Sequence, residues 1–276
     1  MSLIITSLNS GSNGNCYYIG NENEAVFVDV GLSCREIEKR MARLGLDMKK
    51  VSAVFISHEH SDHIFGVQVL SKKYHLPVYI TPATLKSSGL QLVAELVRTF
   101  NAHQPVQVGA LSITAFPKHH DASDPHSFIV SSNNTQVGVF TDIGQSCEQV
   151  IHHFQGCHAA FLEANYDEAM LHAGRYPLSL KNRIRGGQGH LSNAQALTLF
   201  TRHRPSFMTH LVLAHLSKEN NRPELVQEIF TAEAHTTEII VAPRVVETAL
   251  YHIGHAGLPA LQPKPAPNAR VQLSLF

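Results

Sequence analysis

The stretch Phe55-Ile56-Ser57-His58-Glu59-His60-Ser61-Asp62-His63 constrains this chain more than any other. The run Val51–Ser57 reads as an apolar strand, and the polar cluster follows it directly. Side chains two apart on extended backbone point the same way, so His58 and His60 can reach one metal ion. Asp62 and His63 fall where a helix is expected, Asp62–Tyr74, and can turn toward a second ion. Three imidazoles and a carboxylate within six residues suit Zn²⁺ or Mn²⁺, which accept nitrogen and oxygen ligands. The bland alternative is a polar loop with clustered histidines, and the spacing speaks against it.

Two ions need ligands from elsewhere, and the chain supplies them at other strand ends. Lys118-His119-His120-Asp121 follows Leu111–Phe116, Thr141-Asp142-Ile143-Gly144 follows Gln136–Thr141, and His215 follows Phe207–Ala214. Adjacent His119 and His120 leave two choices for one ligand. Most of the 19 histidines are ordinary: His152, His153, His203, His235 and His252 sit in no ligand pattern.

Leu3–Leu8, Cys16–Gly20, Ala25–Val30, Val78–Thr81, Ser127–Ser131, Ala159–Glu163 and Glu238–Ala242 read as further strands. Ser33–Leu44, Gln145–Phe154, Ser192–Arg204 and Pro223–Ala234 read as helices, with Ser33 and either Ser192 or Asn193 as caps. Strands alternating with helices in both halves predict an α/β fold of two packed sheets with helices outside. At 43% hydrophobic and 16% charged, the chain has enough apolar content for such a core.

Lys plus Arg equals Asp plus Glu at 22 each, so any grip on a polyanion must come from a local patch or a tether. Cys16, Cys34, Cys147 and Cys157 form no C-x-x-C pair, which excludes a zinc knuckle or a thioredoxin motif. No apolar run reaches membrane-spanning length and no signal peptide is evident, so the expected setting is cytoplasmic, without a membrane partner.

The order H-x-H-x-D-H, then His, Asp and His, resembles the metallo-β-lactamase superfamily. More closely, the chain up to about residue 250 resembles the YycJ/WalJ group of DNA exonucleases. The blocks that carry the likeness are Ser10–Cys16, Asp29–Leu32, Ser57–His63, His120–Ala122, Thr141–Gly144, Glu163–Asn165, Gly189–Asn193 and His215–Asn221, in this order. The resemblance implies a four-layer αββα sandwich of two mixed sheets with outer helices over residues 1–257. It implies two divalent ions, one on His58, His60 and His120, the other on Asp62, His63 and His215, with Asp142 bridging. Asp29 would orient a ligand histidine. His120, before Asp121, is the ligand the family pattern favours. The family's Asn-His-Asp reads Asn165-Tyr166-Asp167 here, so a histidine's role at 166 is lost.

Such a site hydrolyses phosphodiesters, with Asp62, Asp142 and His190 as the catalytic candidates. His190 would contact the scissile phosphate and stabilise charge or protonate the leaving oxygen; a backbone-bonded histidine at a helix start is the alternative. Lys181, Arg183 and Arg185 form either a phosphate grip or a solvated helix face. Ser10, Ser12, Asn13 and Asn15 either cup a terminal phosphate or make a tight turn. Lys218 and Asn220 follow His215 and line the expected groove, as does Asn221.

Pro259, Pro263, Pro265 and Pro267 fall within nine residues, so 258–276 reads as a Pro-rich linker carrying a peptide motif. Gln272-Leu273-Ser274-Leu275-Phe276 resembles the peptide by which bacterial replication and repair proteins dock on the DNA polymerase sliding clamp. Gln272, Leu273, Leu275 and Phe276 would make that contact; packing of the leucines and phenylalanine on the parent domain is the alternative. The resulting expectation is a metal-dependent 5′-to-3′ DNA exonuclease of repair or replication. The alternatives are a phosphodiesterase for RNA or a small cyclic phosphate, and, in another class, a non-catalytic scaffold, which the full ligand set disfavours.

Overall fold

The computed structural model describes residues 2–254; the Pro-rich stretch and the peptide expected to dock on the clamp lie outside the described residues. One seven-stranded sheet contains β1 (Leu3–Asn9), β2 (Cys16–Gly20), β3 (Ala25–Val28), β4 (Val51–Phe55), β5 (Val78–Tyr79), β6 (Val97–Arg98) and β14 (Tyr251–Ile253), in the order β14-β1-β2-β3-β4-β5-β6. The other contains β7 (Val106–Val108), β8 (Leu111–Pro117), β9 (His126–Ser132), β10 (Thr135–Phe140), β11 (Ala159–Glu163), β12 (His210–Ala214) and β13 (Glu238–Val241), in the order β13-β12-β11-β10-β9-β8-β7. Both are mixed. β3 to β6 run parallel on one side of the first, and β10 to β13 run parallel on one side of the second.

Period-two alternation places the core. In β4, Ala53 and Phe55 face the other sheet, while Val54, and Ile56 just past the strand, join the apolar layer beneath the helices. In β11, Phe161 faces inward and Ala160 and Leu162 face outward. Tyr17 meets Phe161 across the sheets with ring centroids 4.8 Å apart, and Phe55 meets Phe128 at 5.7 Å. The helices α1 (Cys34–Arg43), α2 (Ser61–Ile64), α3 (Val67–Tyr74) and α4 (Pro82–Ser88) follow strands of the first sheet. The helices α5 (Glu148–Phe154), α6 (Glu168–Ala173), α7 (Leu178–Arg185), α8 (Asn193–His203) and α9 (Pro223–Thr231) follow strands of the second. Apolar layers lie between the sheets and on the outer face of each, which makes the expected four-layer αββα sandwich. None of the described helices is long and apolar enough to cross a membrane.

Several boundaries differ from expectation for local reasons. The helix expected over Asp62–Tyr74 is two, broken at Phe65 and Gly66. Gly66 donates its N–H to Val30 O at 2.8 Å, and a Cβ there would lie 1.9 Å from Leu32 O, so only glycine allows this approach. Thr81 is no strand residue; its hydroxyl caps α4, which opens with Pro82. The strand expected from Phe207 begins at His210. Ser192 caps α8 in a capping box with Gln195, and Ser33 caps α1.

Candidate metal centre

The site lies where strands of both sheets end. His58 and His60 follow β4, with His60 as the N-cap of α2, and Asp62 and His63 occupy that helix's first turn. His120 follows β8, Asp142 follows β10 and His215 follows β12. Asp29, Asp142 and His215 all have left-handed backbone, with φ of 60°, 53° and 57°. Each such residue costs roughly 1–3 kcal/mol, and the three stand one or two positions past a strand end, where the turn aims their side chains into the site.

Ligand-type atoms of His58, His60 and His120 lie within 4.8 Å of one another, as do those of Asp62, His63 and His215. Asp142 stands between the groups: His63 Nε2 is 3.1 Å from its Oδ2, and Nε2 of His215 and of His120 are 3.5 and 3.8 Å from its Oδ1. Within the first group, His60 Nδ1 faces Nε2 of His58 at 3.1 Å and of His120 at 3.3 Å. One proton satisfies only one of these nitrogen pairs; a cation satisfies all of them. Asp142 Oδ2 and His215 Nε2 are buried and without a hydrogen-bond partner among the described residues, although both point at the cluster. The donor set therefore fits two divalent cations. His119, half-buried, faces Gln188 instead and stands outside both groups.

The imidazoles are fixed from behind. His63 Nδ1 is 2.7 Å from Asp29 Oδ2, and Asp29 also accepts from the Ser57 N–H and hydroxyl, each at 2.8 Å. Ser57 Oγ in turn lies 2.8 Å from His58 Nδ1. His120 Nδ1 faces Gly189 O at 3.1 Å, and His215 Nδ1 faces Glu163 Oε1 at 3.2 Å. Each Nδ1 has an acceptor, which leaves the four Nε2 atoms free for a metal. Burial pulls the His58 imidazole well below its usual pKa and His120 down to about 4, so both are neutral donors. Burial also opposes charge on His215, but Asp142, Asp62 and Glu163 outweigh it and push it up to about 10. A cation replaces that proton when it binds.

Glu163 is the residue that sequence reasoning left without a role. It is fully buried at the end of β11. Its Oε2 accepts from the N–H of Ile143 at 2.7 Å and of Leu191 at 3.2 Å, and its Oε1 lies 2.7 Å from His190 Nδ1. A carboxylate closing the apolar run Ala159-Ala160-Phe161-Leu162 was the available signal. His190 is partly exposed and belongs to neither of those two groups, although its ligand-type atom lies within 4.8 Å of those of Asp142, Glu163 and His215; its Nδ1 is held by Glu163.

The residues expected to contact substrate separate. Ser10 and Asn15 do not face solvent: both are buried. Ser10 Oγ accepts the His215 N–H at 2.7 Å, and Asn15 Nδ2 lies 3.1 Å from both Asp62 Oδ2 and His63 Nε2. They brace the centre, because the turn folds inward at Gly14, where a Cβ would lie 2.8 Å from Gly31 O. Ser12 and Asn13 remain exposed. Asn220 is likewise buried, with its carbonyl accepting from Asp167 N–H, and Asn221 bonds to Ala164 O and Asn193; Lys218 is exposed. Arg183 ion-pairs with Asp121, next to His120, whereas Lys181 and Arg185 line a separate cavity of about 460 Å³ on the other face of α7.

The chain matches the β-lactamase superfamily domain over residues 25–216. It is 34% identical over 231 residues to exodeoxyribonuclease YycJ of Bacillus anthracis, covering 82% of this chain and 87% of that protein. It is 31% identical over 223 residues to exodeoxyribonuclease WalJ of Streptococcus pneumoniae, covering 79% and 83%. Its fold is similar to that of the metallo-β-lactamase fold protein YhfI of Bacillus subtilis, with a TM-score of 0.70 at 15% identity, over 91% of this chain and all of that one.

Proposed function

From the premise that this chain belongs to the metallo-β-lactamase superfamily, as a metallohydrolase of the YycJ/WalJ group, we propose that it is a 5′-to-3′ DNA exonuclease acting in repair or replication. The observation that carries the reading is the His190–Glu163 pair set beside the metal cluster, with His190 Nδ1 held by Glu163. A hydrolase that needs only metal-activated water has no use for it; phosphodiester cleavage has, because the leaving oxygen must be protonated.

In this reading His58, His60 and His120 hold one ion, Asp62, His63 and His215 the other, and Asp142 both. The metal is Zn²⁺ or Mn²⁺. Bound there, the ions supply a water nucleophile at neutral pH and neutralise phosphate charge. Asp62 orients the nucleophile from its half-exposed position. Glu163 accepts the His190 Nδ1–H, so that the imidazolium form of His190 can give its Nε2 proton to the leaving oxygen. Ser12, Asn13, Arg183 and Lys218 contact the strand close to the centre, and Lys181 and Arg185 contact it further along α7. Asp29 keeps His63 in place. On sequence alone, Gln272, Leu273, Leu275 and Phe276 dock the enzyme on the sliding clamp in the cytoplasm.

The test is an assay of protein loaded with Mn²⁺ or Zn²⁺ on end-labelled single- and double-stranded DNA and RNA, beside bis-p-nitrophenyl phosphate. Stepwise shortening of DNA from the 5′ end is expected. Turnover of RNA alone, or of the small diester alone, refutes the reading.

A further inference from the structure

Away from the metal centre, the fold brings together three histidines, one of them far from the other two in sequence. His103 stands in the turn between β6 and β7, where its N–H donates to Ala115 O of β8 at 2.8 Å. His152 and His153 occupy the last turn of α5. The His153 ring lies 5.1 Å from that of His152 and 6.2 Å from that of His103, centroid to centroid. In the buried centre the corresponding spacings are 4.6, 4.7 and 5.1 Å among His58, His60 and His120, and 6.0 Å between His63 and His215. The outer rings are thus spaced much as those of the ligand groups are. Thr114 and Gln149 complete a hollow of about 540 Å³ around them, and Gln149 lies one helical turn before His153 on the same face of α5.

His153 carries the unmet demand. Its ring stacks on Phe116 at 4.2 Å, and its Nε2 is buried without a hydrogen-bond partner among the described residues. A buried polar atom in that state requires a partner. Burial, with His152 and His103 beside it, holds this imidazole down to about 4, so at neutral pH it is an uncharged donor with a lone pair. As the rings stand, the nitrogens of the three do not all lie within ligand reach of one point. His103 and His152 are exposed, and a turn of these two side chains uncovers His153 and closes the gap.

We propose that His103, His152 and His153 bind one transition-metal ion of the Zn²⁺ type, with water from the hollow completing a tetrahedral shell. Three imidazoles suit Zn²⁺, Cu²⁺ or Ni²⁺ and give no foothold to Mg²⁺ or Ca²⁺, which need oxygen ligands. The ion ties the turn 101–104 to α5 and stabilises the fold there. It takes no part in hydrolysis, and the site stands whether or not the chain is a nuclease.

The experiment dialyses the full chain, the double variant His103→Asn/His152→Asn and the single variant His153→Phe against one fixed micromolar concentration of free Zn²⁺, then counts bound ions by elemental analysis. Asparagine tolerates the left-handed backbone at position 103, where φ is 64°, and phenylalanine keeps the stack on Phe116. Wild type should carry one more ion per chain than either variant, whatever number the buried centre holds. Calorimetric titration of protein whose buried centre is already filled should show one further Zn²⁺ event in the wild type, weakened at least about tenfold in each variant. At about a hundredfold excess of free Zn²⁺ over its Kd, the melting temperature of wild type should rise by roughly 5 °C more than that of the variants. Should the double variant not fold, His152→Asn alone, at an exposed helix position, carries the same test. Equal ion counts in all the proteins, a further Zn²⁺ event that survives the substitutions, or an equal response to Mg²⁺ overturns the site.

Discussion

His190 Nδ1 lies 2.7 Å from Oε1 of Glu163, a fully buried carboxylate whose other oxygen accepts two backbone N–H groups. The pair fixes the direction of the imidazole with Nδ1–H on Glu163, so that the imidazolium form presents its Nε2 proton. His190→Ala should keep both metals and lose about 10²–10⁴-fold in turnover, the usual worth of a positioned general acid. Glu163→Gln should act through His190 as a positioning change, flattening the acid–base limb of the pH–rate profile as well as lowering kcat. Metal analysis beside kinetics checks both; metal content that falls in step with activity in His190→Ala would make His190 a ligand or a support.

Asp142 has histidines of both groups within 4 Å, at 3.1 Å from His63 and 3.8 Å from His120, and an oxygen without a hydrogen-bond partner among the described residues. Wild-type protein should therefore carry two ions per chain, and Asp142→Ala should lose at least one ion together with nearly all activity. Elemental analysis of loaded protein is the check. One tight ion in the wild type, with activity intact in Asp142→Ala, rejects the dinuclear centre.

His153 is outside the site and stacks on Phe116 with ring centroids 4.2 Å apart. Burial, helped by His152 and His103, holds its imidazole down from 6.5 to about 4. Between these values the unfolded chain binds the proton and the folded chain does not, so stability rises with pH across the window. This contribution is complete above about pH 6.5 and is lost as pH falls toward 4. His153→Phe keeps the stacking without the proton. Its urea midpoint should fall less than that of wild type between about pH 7.5 and about pH 5. An equal fall in both proteins removes His153 from the acid response.

The sandwich was legible because its strands are apolar and short and its helices carry local caps: Ala159–Glu163 coincides with β11, and Ser33 caps α1 as expected. The histidine motif was legible because its members are close in sequence. What stayed hidden depends on contacts across the fold. Nothing in the residues around Ser10 or Asn15 says that His215 and Asp62 will fold over them from 205 and 47 positions away. Arg244 follows β13 and meets Ser12 only once β13 and β1 lie in facing sheets. Lys181, Arg183 and Arg185 alternate in sequence, and helical turning sends Arg183 to one face and the other two to the opposite cavity.

The docking role of the peptide Gln272–Phe276 rests on sequence. Lys plus Arg balance Asp plus Glu at 22 each, so the enzyme's own hold on DNA should be modest and salt-sensitive. A contact with a ring already threaded on DNA makes the second encounter intramolecular, at an effective concentration toward the mM range. Deleting 272–276, or changing Leu275 and Phe276 to alanine, should abolish binding to the sliding clamp. The described body carries the complete metal centre without this segment. Metal content and hydrolysis of short free DNA should therefore change little, whereas degradation of long, clamp-loaded DNA should drop at moderate salt. Calorimetric titration with the clamp, run beside both nuclease assays, separates the outcomes. Equal clamp binding by wild type and truncation rejects the docking peptide. A truncation that unfolds or loses hydrolysis of free DNA shows that the segment packs on its own domain.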